Sequence, residues 1–331
     1  MSTVAVLGAG NMGTALAQVA AGNGHRVHLW SIEEDVLEDI RDHQTNSKYL
    51  PGVGLHPSIE PCWQLAEALD GAAIAIFSVP STVLRSLARD AAPHLAAGTV
   101  ALNVAKGLEE IEPGRAKRMS EVLAEELGKG HSAVAGMGGP AIANELARGV
   151  PTAVIVASRD AGAAATAQSV LQNEHLKVET SSDLVGVELG ATLKNVYAIA
   201  LGMCDGLGMG TNTKSFIVTL ALEEMAALIA AMGGQPRTAY GLAGLGDLLT
   251  TGFSPHSRNR TLGEKLCTDP AWPEFSHRTT VEGVGACRIG RQLAYAHDMG
   301  APLLEMVYDV LFEGQPPADT MRAFLQAFAY E

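Results

Sequence analysis

Seven β-type runs, TVAVLG, RVHLW, AAIAIFSV, TVALNVA, SAVAGM, TAVIVAS and KVETSS, alternate with helical segments over the first 182 residues. Most of these runs are apolar throughout, so such strands need cover on both faces. Helices threaded between them supply it, and the alternation predicts parallel βαβ units in a doubly wound sheet. After Ser182 the β-type runs stop. Helical periodicity takes over at 183–205, 213–233 and 285–299, with a last helix near 318–329. The expected organisation is an α/β domain over 1–182 and an all-α domain over 183–331. A length of 331 residues agrees, being more than one core usually holds.

The first run opens a motif. In VAVLGAGNMGTALA, Gly8, Gly10 and Gly13 follow a strand and lead into a helix. Glycines at this spacing allow a tight turn and close backbone approach, and the helix N-terminus offers N–H groups and partial positive charge to a pyrophosphate. Without a ligand, the same pattern is a glycine-rich turn. The second run ends at VHLWSIEED, where Glu33 lies 20 residues beyond Gly13, the distance at which an acidic group meets a ribose hydroxyl. A 2′-phosphate would need Arg or Lys there. Ser31, Ile32, Glu33 and Glu34 occupy the position, so NAD is favoured over NADP, with Ser31, Arg26 and Arg41 left as groups that could serve NADP.

Composition excludes other classes. The net charge of −13 disfavours nucleic acid and anionic membranes as partners, since both need a basic face. Cys62, Cys204, Cys267 and Cys287 form no CxxC pair and have no histidines at ligand spacing, so neither a disulfide framework nor a metal site is expected. With no basic segment ahead of the first apolar run, a soluble cytoplasmic protein is the expectation.

Three positions carry chemistry. In GATLKNVYAIALG, Val187, Gly190, Ala191, Lys194 and Ala198 share one helical stripe. The small neighbours would leave room in front of the lysine for a ligand. A lysine snorkelling to solvent from a helix edge fits the periodicity equally well. Lys106, followed by Gly107, ends a strand in ALNVAKGLEE, and ligands of such sheets bind beyond the carboxyl ends of strands. GLAGLGDLLTTGFSPHSRNR sets Asp247 among glycines, then offers Ser257, Arg258 and Asn259. The carboxylate would orient an ammonium, and the guanidinium would grip a phosphate. A polar surface loop with a helix cap is the plainer reading.

Together with NSKYLPG, GGPAIANELA, TNTKS and VEGV, these segments run in order along almost the whole chain and resemble the NAD(P)-dependent glycerol-3-phosphate dehydrogenase family. The resemblance implies a Rossmann-type domain joined to an all-α domain of the 6-phosphogluconate-dehydrogenase-like kind. It implies Lys194 as the catalytic lysine and Lys106 as a second active-site lysine touching substrate and nicotinamide. Asp247, Asn195 and Thr251 become active-site polar groups, and Arg258 and Asn259, beside Ser257, the phosphate anchor. Gly139, Ala143 and Glu282 become backbone and cofactor contacts, joined at the cofactor by Lys106 and Arg258. The loop Gly8, Gly10, Asn11, Met12 and Gly13 takes the pyrophosphate, Ile32 lies beside the adenine, and Ser31 and Glu33 complete the cofactor contacts at the same strand end. Two departures stand out. Asn11 and Met12 replace the Ser and Trp of many bacterial members, which leaves pyrophosphate contacts there to backbone N–H groups. Ala141 replaces a Ser or Thr and removes one hydroxyl donor to the substrate.

The implied reaction is reversible hydride transfer between dihydroxyacetone phosphate and sn-glycerol 3-phosphate, supplying phospholipid synthesis, in a cytoplasmic homodimer using NAD, with NADP as the second choice. Two rivals fit the same architecture: a two-domain dehydrogenase acting on a 2- or 3-hydroxy acid, which needs no phosphate anchor, and a non-catalytic NADH-sensing regulator, which needs none of Lys106, Lys194 and Asp247.

Overall fold

The computed structural model describes residues 1–128, 133–273, 275, 279 and 281–327. The first residue of the SAVAGM run and the end of the expected 318–329 helix lie outside them. The chain forms two compact units: Met1–Glu109 with Arg118–Leu184, and Glu110–Lys117 with Val185–Glu331.

The first unit is built on an eight-stranded sheet of order β10-β9-β8-β5-β4-β1-β2-β3. Its strands are β1 (Thr3–Leu7), β2 (Arg26–Trp30), β3 (Ile59–Cys62), β4 (Ala72–Phe77), β5 (Val100–Asn103), β8 (Val134–Gly138), β9 (Thr152–Ser158) and β10 (Leu176–Ser181). Strand alternation divides the core into two layers. Val4, Val6, Ile74, Ile76 and Leu102 join one cluster with Leu16 and Ala20 of α1 (Asn11–Gly22) and Val170 of α7 (Ala161–Leu171). Ala5, Leu7, Ala75, Phe77 and Ala101 join the other with Leu84 of α4 (Ser81–Ala91) and Val122 of α5 (Met119–Leu127). The order reverses at β1, flanked by β4 on one side and β2 on the other. A crevice beyond the carboxyl ends opens at such a switch point.

Two features differ from the sequence expectation. β8 and β9 run antiparallel, with Ala135 opposite Ser158 and Gly138 opposite Ile155. Their connection holds only the five-residue helix α6 (Ala143–Ala147), too little to carry the chain back along the sheet for a parallel crossover. The edge strand β3, with sequence IEPC, escapes β-type reading because Pro61 cannot donate to a ladder; an edge tolerates that.

The second unit is helical around α8 (Leu184–Gly206). This helix is long and apolar enough to cross a membrane, but 94% of its apolar window is buried, which makes it a core helix. Around it lie α9 (Thr211–Ala231), α10 (Asp247–Phe253), α11 (Arg258–Thr268), α12 (Glu282–Ala296), α13 (Pro302–Phe312) and α14 (Pro317–Ala327). The unit is not purely α. It includes the turn of a charged hairpin, β6 (Leu108–Glu112) and β7 (Arg115–Arg118), whose Glu110 meets Arg288 of α12 at 3.2 Å. Polar strands such as LEEIE and RAKR carry no apolar alternation, so periodicity missed them.

Candidate functional site

On the first unit, the glycine loop joins β1 to α1. Gly8 has φ +114°, and a Cβ there would lie 2.4 Å from the Ser78 carbonyl oxygen. A Cβ on Gly13 would lie 1.9 Å from the Gly8 carbonyl oxygen, so α1 starts this close to β1 only because both residues are glycine. A Cβ on Gly10 would meet nothing within 4 Å. Gly10 is the N-cap of α1 and brings no side-chain cap, so the helix N-terminus faces open space of the kind a pyrophosphate needs. Asn11 and Met12 open the helix, and the Asn11 amide donates to the Tyr49 carbonyl at 2.7 Å.

At the carboxyl end of β2, Ile32 is 83% exposed, an uncovered apolar surface on which an adenine would stack. The Ser31 hydroxyl accepts from the Glu33 N–H at 3.1 Å. Glu33 receives Lys48 at 2.9 Å and the Tyr49 hydroxyl at 3.1 Å, and these hydrogen bonds to the carboxylate raise the pKa of both donors. The cations that sequence reading put forward are engaged elsewhere: Arg26 forks onto Glu60 at 3.0 and 2.8 Å, and Arg41 onto Asp42 at 2.7 and 2.8 Å. The cation at this strand end is Lys48.

Lys106 follows β5 in a built turn. Asn103 accepts from the Ala105 N–H at 3.0 Å and donates to its carbonyl at 3.1 Å, and a Cβ on Gly107 would strike the Ser81 hydroxyl at 2.4 Å. Gly139 follows β8 at φ +118°, where a Cβ would sit 3.1 Å from Cα of Val154. Ala143 begins α6, and Ala141 rests against the apolar core.

The second unit holds a buried polar cluster. Lys194 is 4% exposed and Asp247 2%, with the ammonium donating to the carboxylate at 2.8 Å and to the Thr251 hydroxyl. Thr251 in turn donates to the same carboxylate oxygen at 3.3 Å. Lys194 does not snorkel. Of the small residues around it, Gly190 lets backbone approach. A Cβ on Gly190 would lie 3.1 Å from the Ala243 carbonyl, and α8 and α11 cross where Cβ atoms on Gly202 and Gly263 would each lie 2.0 Å from the opposite helix's carbonyl oxygens. Asp247 is delivered by a π-helical turn, Leu242–Gly246, that leads straight into α10.

Next to Lys194, the Asn195 amide donates to Glu282 at 3.3 Å, while Asn259 donates to the Asn195 oxygen at 2.9 Å and accepts from the Gly283 N–H at 2.9 Å. Ser257 caps α11 by accepting from the Arg260 N–H at 3.2 Å. Its hydroxyl hydrogen can still be donated outward. Arg258, exposed on the first residue of that helix, joins a guanidinium to a helix N-terminus, a pairing suited to phosphate. Thus Lys194, Asp247 and Thr251 form one hydrogen-bonded set and Asn195, Asn259 and Glu282 another, both within one unit, while Gly8, Gly10, Gly13, Ile32, Glu33 and Lys106 lie at strand ends of the other. Asn46, Lys48 and Asn103, which the fold places beside the glycine loop, Glu33 and Lys106, are not singled out by the sequence. NSKYLPG was visible as a motif, but nothing in its spacing says what it touches.

Known proteins are similar to the chain over almost its whole length. A family model described as NAD-dependent glycerol-3-phosphate dehydrogenase N-terminus matches residues 3–164, and its C-terminus counterpart matches 183–322. The chain is 42% identical to glycerol-3-phosphate dehydrogenase [NAD(P)+] of Moorella thermoacetica over 98% of this chain and 96% of that protein. Its fold superposes on the crystal structure of glycerol-3-phosphate dehydrogenase from Coxiella burnetii with a TM-score of 0.91 and 33% identity over 98% of both chains. The glycerol-3-phosphate dehydrogenase structure from Saccharomyces cerevisiae superposes with a TM-score of 0.84 at 25% identity, covering 98% of this chain and 99% of that one.

Proposed function

We infer the chemistry from one premise: this chain belongs to the NAD-dependent glycerol-3-phosphate dehydrogenase family. It is an oxidoreductase that interconverts dihydroxyacetone phosphate and sn-glycerol 3-phosphate with NAD(P)H. The observation that carries the assignment of residues is the buried Lys194–Asp247 pair, because an ammonium at 4% exposure is costly unless its charge is used and balanced.

When bound, the reduced nicotinamide supplies a hydride to C2 of the ketone. The carbonyl oxygen then gains negative charge, and Lys194 donates the proton that neutralises it, recovering its own from water afterwards. Asp247 and Thr251 aim the ammonium through the bonds described above. Lys106 polarises the oxygen of the substrate. Arg258, Asn259 and Ser257 hold the phosphate, so binding energy gained away from the reacting carbon fixes the ketone in place. Asn195 braces Asn259, and the Gly139 backbone contacts substrate. Gly8, Gly10, Asn11, Met12 and Gly13 take the pyrophosphate and Ile32 the adenine; Ser31 and Glu33 take the ribose, while Ala143, Glu282, Lys106 and Arg258 complete the cofactor contacts.

On this reading the protein acts in the cytoplasm as a homodimer and feeds phospholipid synthesis; the net charge of −13 supports only the further point that nucleic acid and anionic membranes are not its partners. The test is NADH and NADPH oxidation with dihydroxyacetone phosphate and, in parallel, unphosphorylated dihydroxyacetone. Removing the phosphate should lower kcat/KM by roughly 10²-fold or more, the scale of a lost charge-assisted anchor. Equal efficiency on both, or turnover of 2-hydroxy acids instead, would replace this reading with the hydroxy-acid one. No turnover at all would leave the sensor.

A further inference from the structure

We propose that Lys48 is the specificity-determining residue through which this chain accepts the 2′-phosphate of NADPH, an interaction for which it is released from Glu33. The inference rests on the cofactor reading above and concerns the same strand end. Glu33 there is the group suited to ribose hydroxyls, and Glu33, Glu34 and Asp35 together would repel a phosphate dianion. Lys48 reaches back over this acidic turn, 2.9 Å from Glu33 and 3.3 Å from Asp35.

Its position is built. Asn46, fully buried, donates to the Ala9 carbonyl at 2.8 Å and to the Thr14 hydroxyl at 2.8 Å, and accepts from the Tyr49 N–H at 3.1 Å. Asn11 holds the Tyr49 carbonyl from the other side. The segment that carries Lys48 is therefore fastened to the glycine loop itself, so Lys48 keeps its place relative to the loop that would hold the cofactor. Tyr49 anchors the Glu33 oxygen that Lys48 uses. Arg26 begins β2, at the opposite end of the strand, and Arg41 lies in the last turn of the helix Glu34–His43, so Lys48 is the better placed of the three.

The ion pair is also exchangeable. Lys48 is 47% exposed and Glu33 32%, so water screens the pair and it holds only weakly. With NADH, Glu33 accepts the ribose hydroxyls and Lys48 stays on the carboxylates. With NADPH, the ammonium turns to the phosphate, which carries more charge than one carboxylate. One exchangeable pair thus serves both cofactors.

The test measures binding, not turnover. Dissociation constants of NADH and NADPH, and of the fragments ADP and 2′,5′-ADP, are measured by fluorescence and calorimetry for the wild type, Lys48→Met, Lys48→Arg and Glu33→Gln. Lys48→Met should raise the NADPH/NADH and 2′,5′-ADP/ADP ratios of Kd by about tenfold, the scale of one charge-assisted contact. Lys48→Arg should restore both ratios, and Glu33→Gln should lower them. Unchanged ratios in Lys48→Met, or equal losses for both members of each pair, overturn the proposal, the latter reducing Lys48 to a loop brace. Failure of the wild type to reduce dihydroxyacetone phosphate would instead strike the functional reading, and the fragment ratios would still decide this one.

Discussion

The two units use the same residue types to opposite ends. In the first, glycines clear a surface: Gly8 and Gly13 let α1 start against β1, and Gly10 leaves open space over the helix N-terminus. In the second, glycines remove space, letting α8 meet α11 and the π-helical turn backbone to backbone. Lysines divide in the same way. Lys48 is half-exposed on an exchangeable pair, whereas Lys194 is locked at 2.8 Å to a carboxylate 53 residues away. A binding face for a large, charged cofactor works with backbone donors and weak pairs that reorganise cheaply. A proton donor works with a buried pair whose geometry cannot drift, because a misplaced donor loses rate steeply.

The comparison breaks most visibly at Lys194. Lys194→Met should lower turnover by at least ~10²-fold, the scale of a general acid, and destabilise the fold by about 3–5 kcal/mol by stranding Asp247. Adding Asp247→Leu should recover the thermal stability but not the activity. Near-normal turnover in either variant would remove the catalytic role. Next in size is a second buried carboxylate of the same unit. Glu224 accepts from the Leu303 and Leu304 N–H groups at 2.5 and 3.1 Å, capping α13, and burial outweighs those donors to push its carboxyl up to about 7. A raised carboxyl pKa means the folded state holds an extra proton between the free value of 4.5 and about 7. Its contribution is therefore full below the free value and lost as pH rises through about 7, a decline of about 3 kcal/mol. Glu224→Gln should flatten this part of a melting-temperature profile, and an unaltered slope would show that the carboxyl titrates normally. The smallest effect belongs to the first unit. Gly13→Ala forces the glycine loop off β1 at a cost of about 1–3 kcal/mol, read as NADH Kd weakened roughly tenfold; unchanged affinity would mean the loop's closeness to β1 does not matter for binding.

Much of the site was legible because its residue types are unusual where they stand. A lysine inside an apolar helix and three spaced glycines after a strand stand out against any packing pattern. Lys48 did not, since a lysine in a polar loop is ordinary. The lean towards NAD, with NADP kept as the second choice, weighed Ser31, Arg26 and Arg41 as groups for a 2′-phosphate and not Lys48, which the fold brings to Glu33.

Periodicity by itself indicated the class of architecture and the long apolar helix, because burial imprints a local repeat on any element, and motif spacing indicated the glycine loop; Lys194 and Asp247 stood out only by residue type, each with a plainer reading beside the functional one. Tertiary structure alone decided the antiparallel turn of β9, the assignment of Glu110–Lys117 to the second unit, the burial of Lys194 against Asp247, and the meeting of Lys48 with Glu33. Strand direction and ion-pair partners depend on contacts between distant segments, and no local repeat records which distant segment arrives.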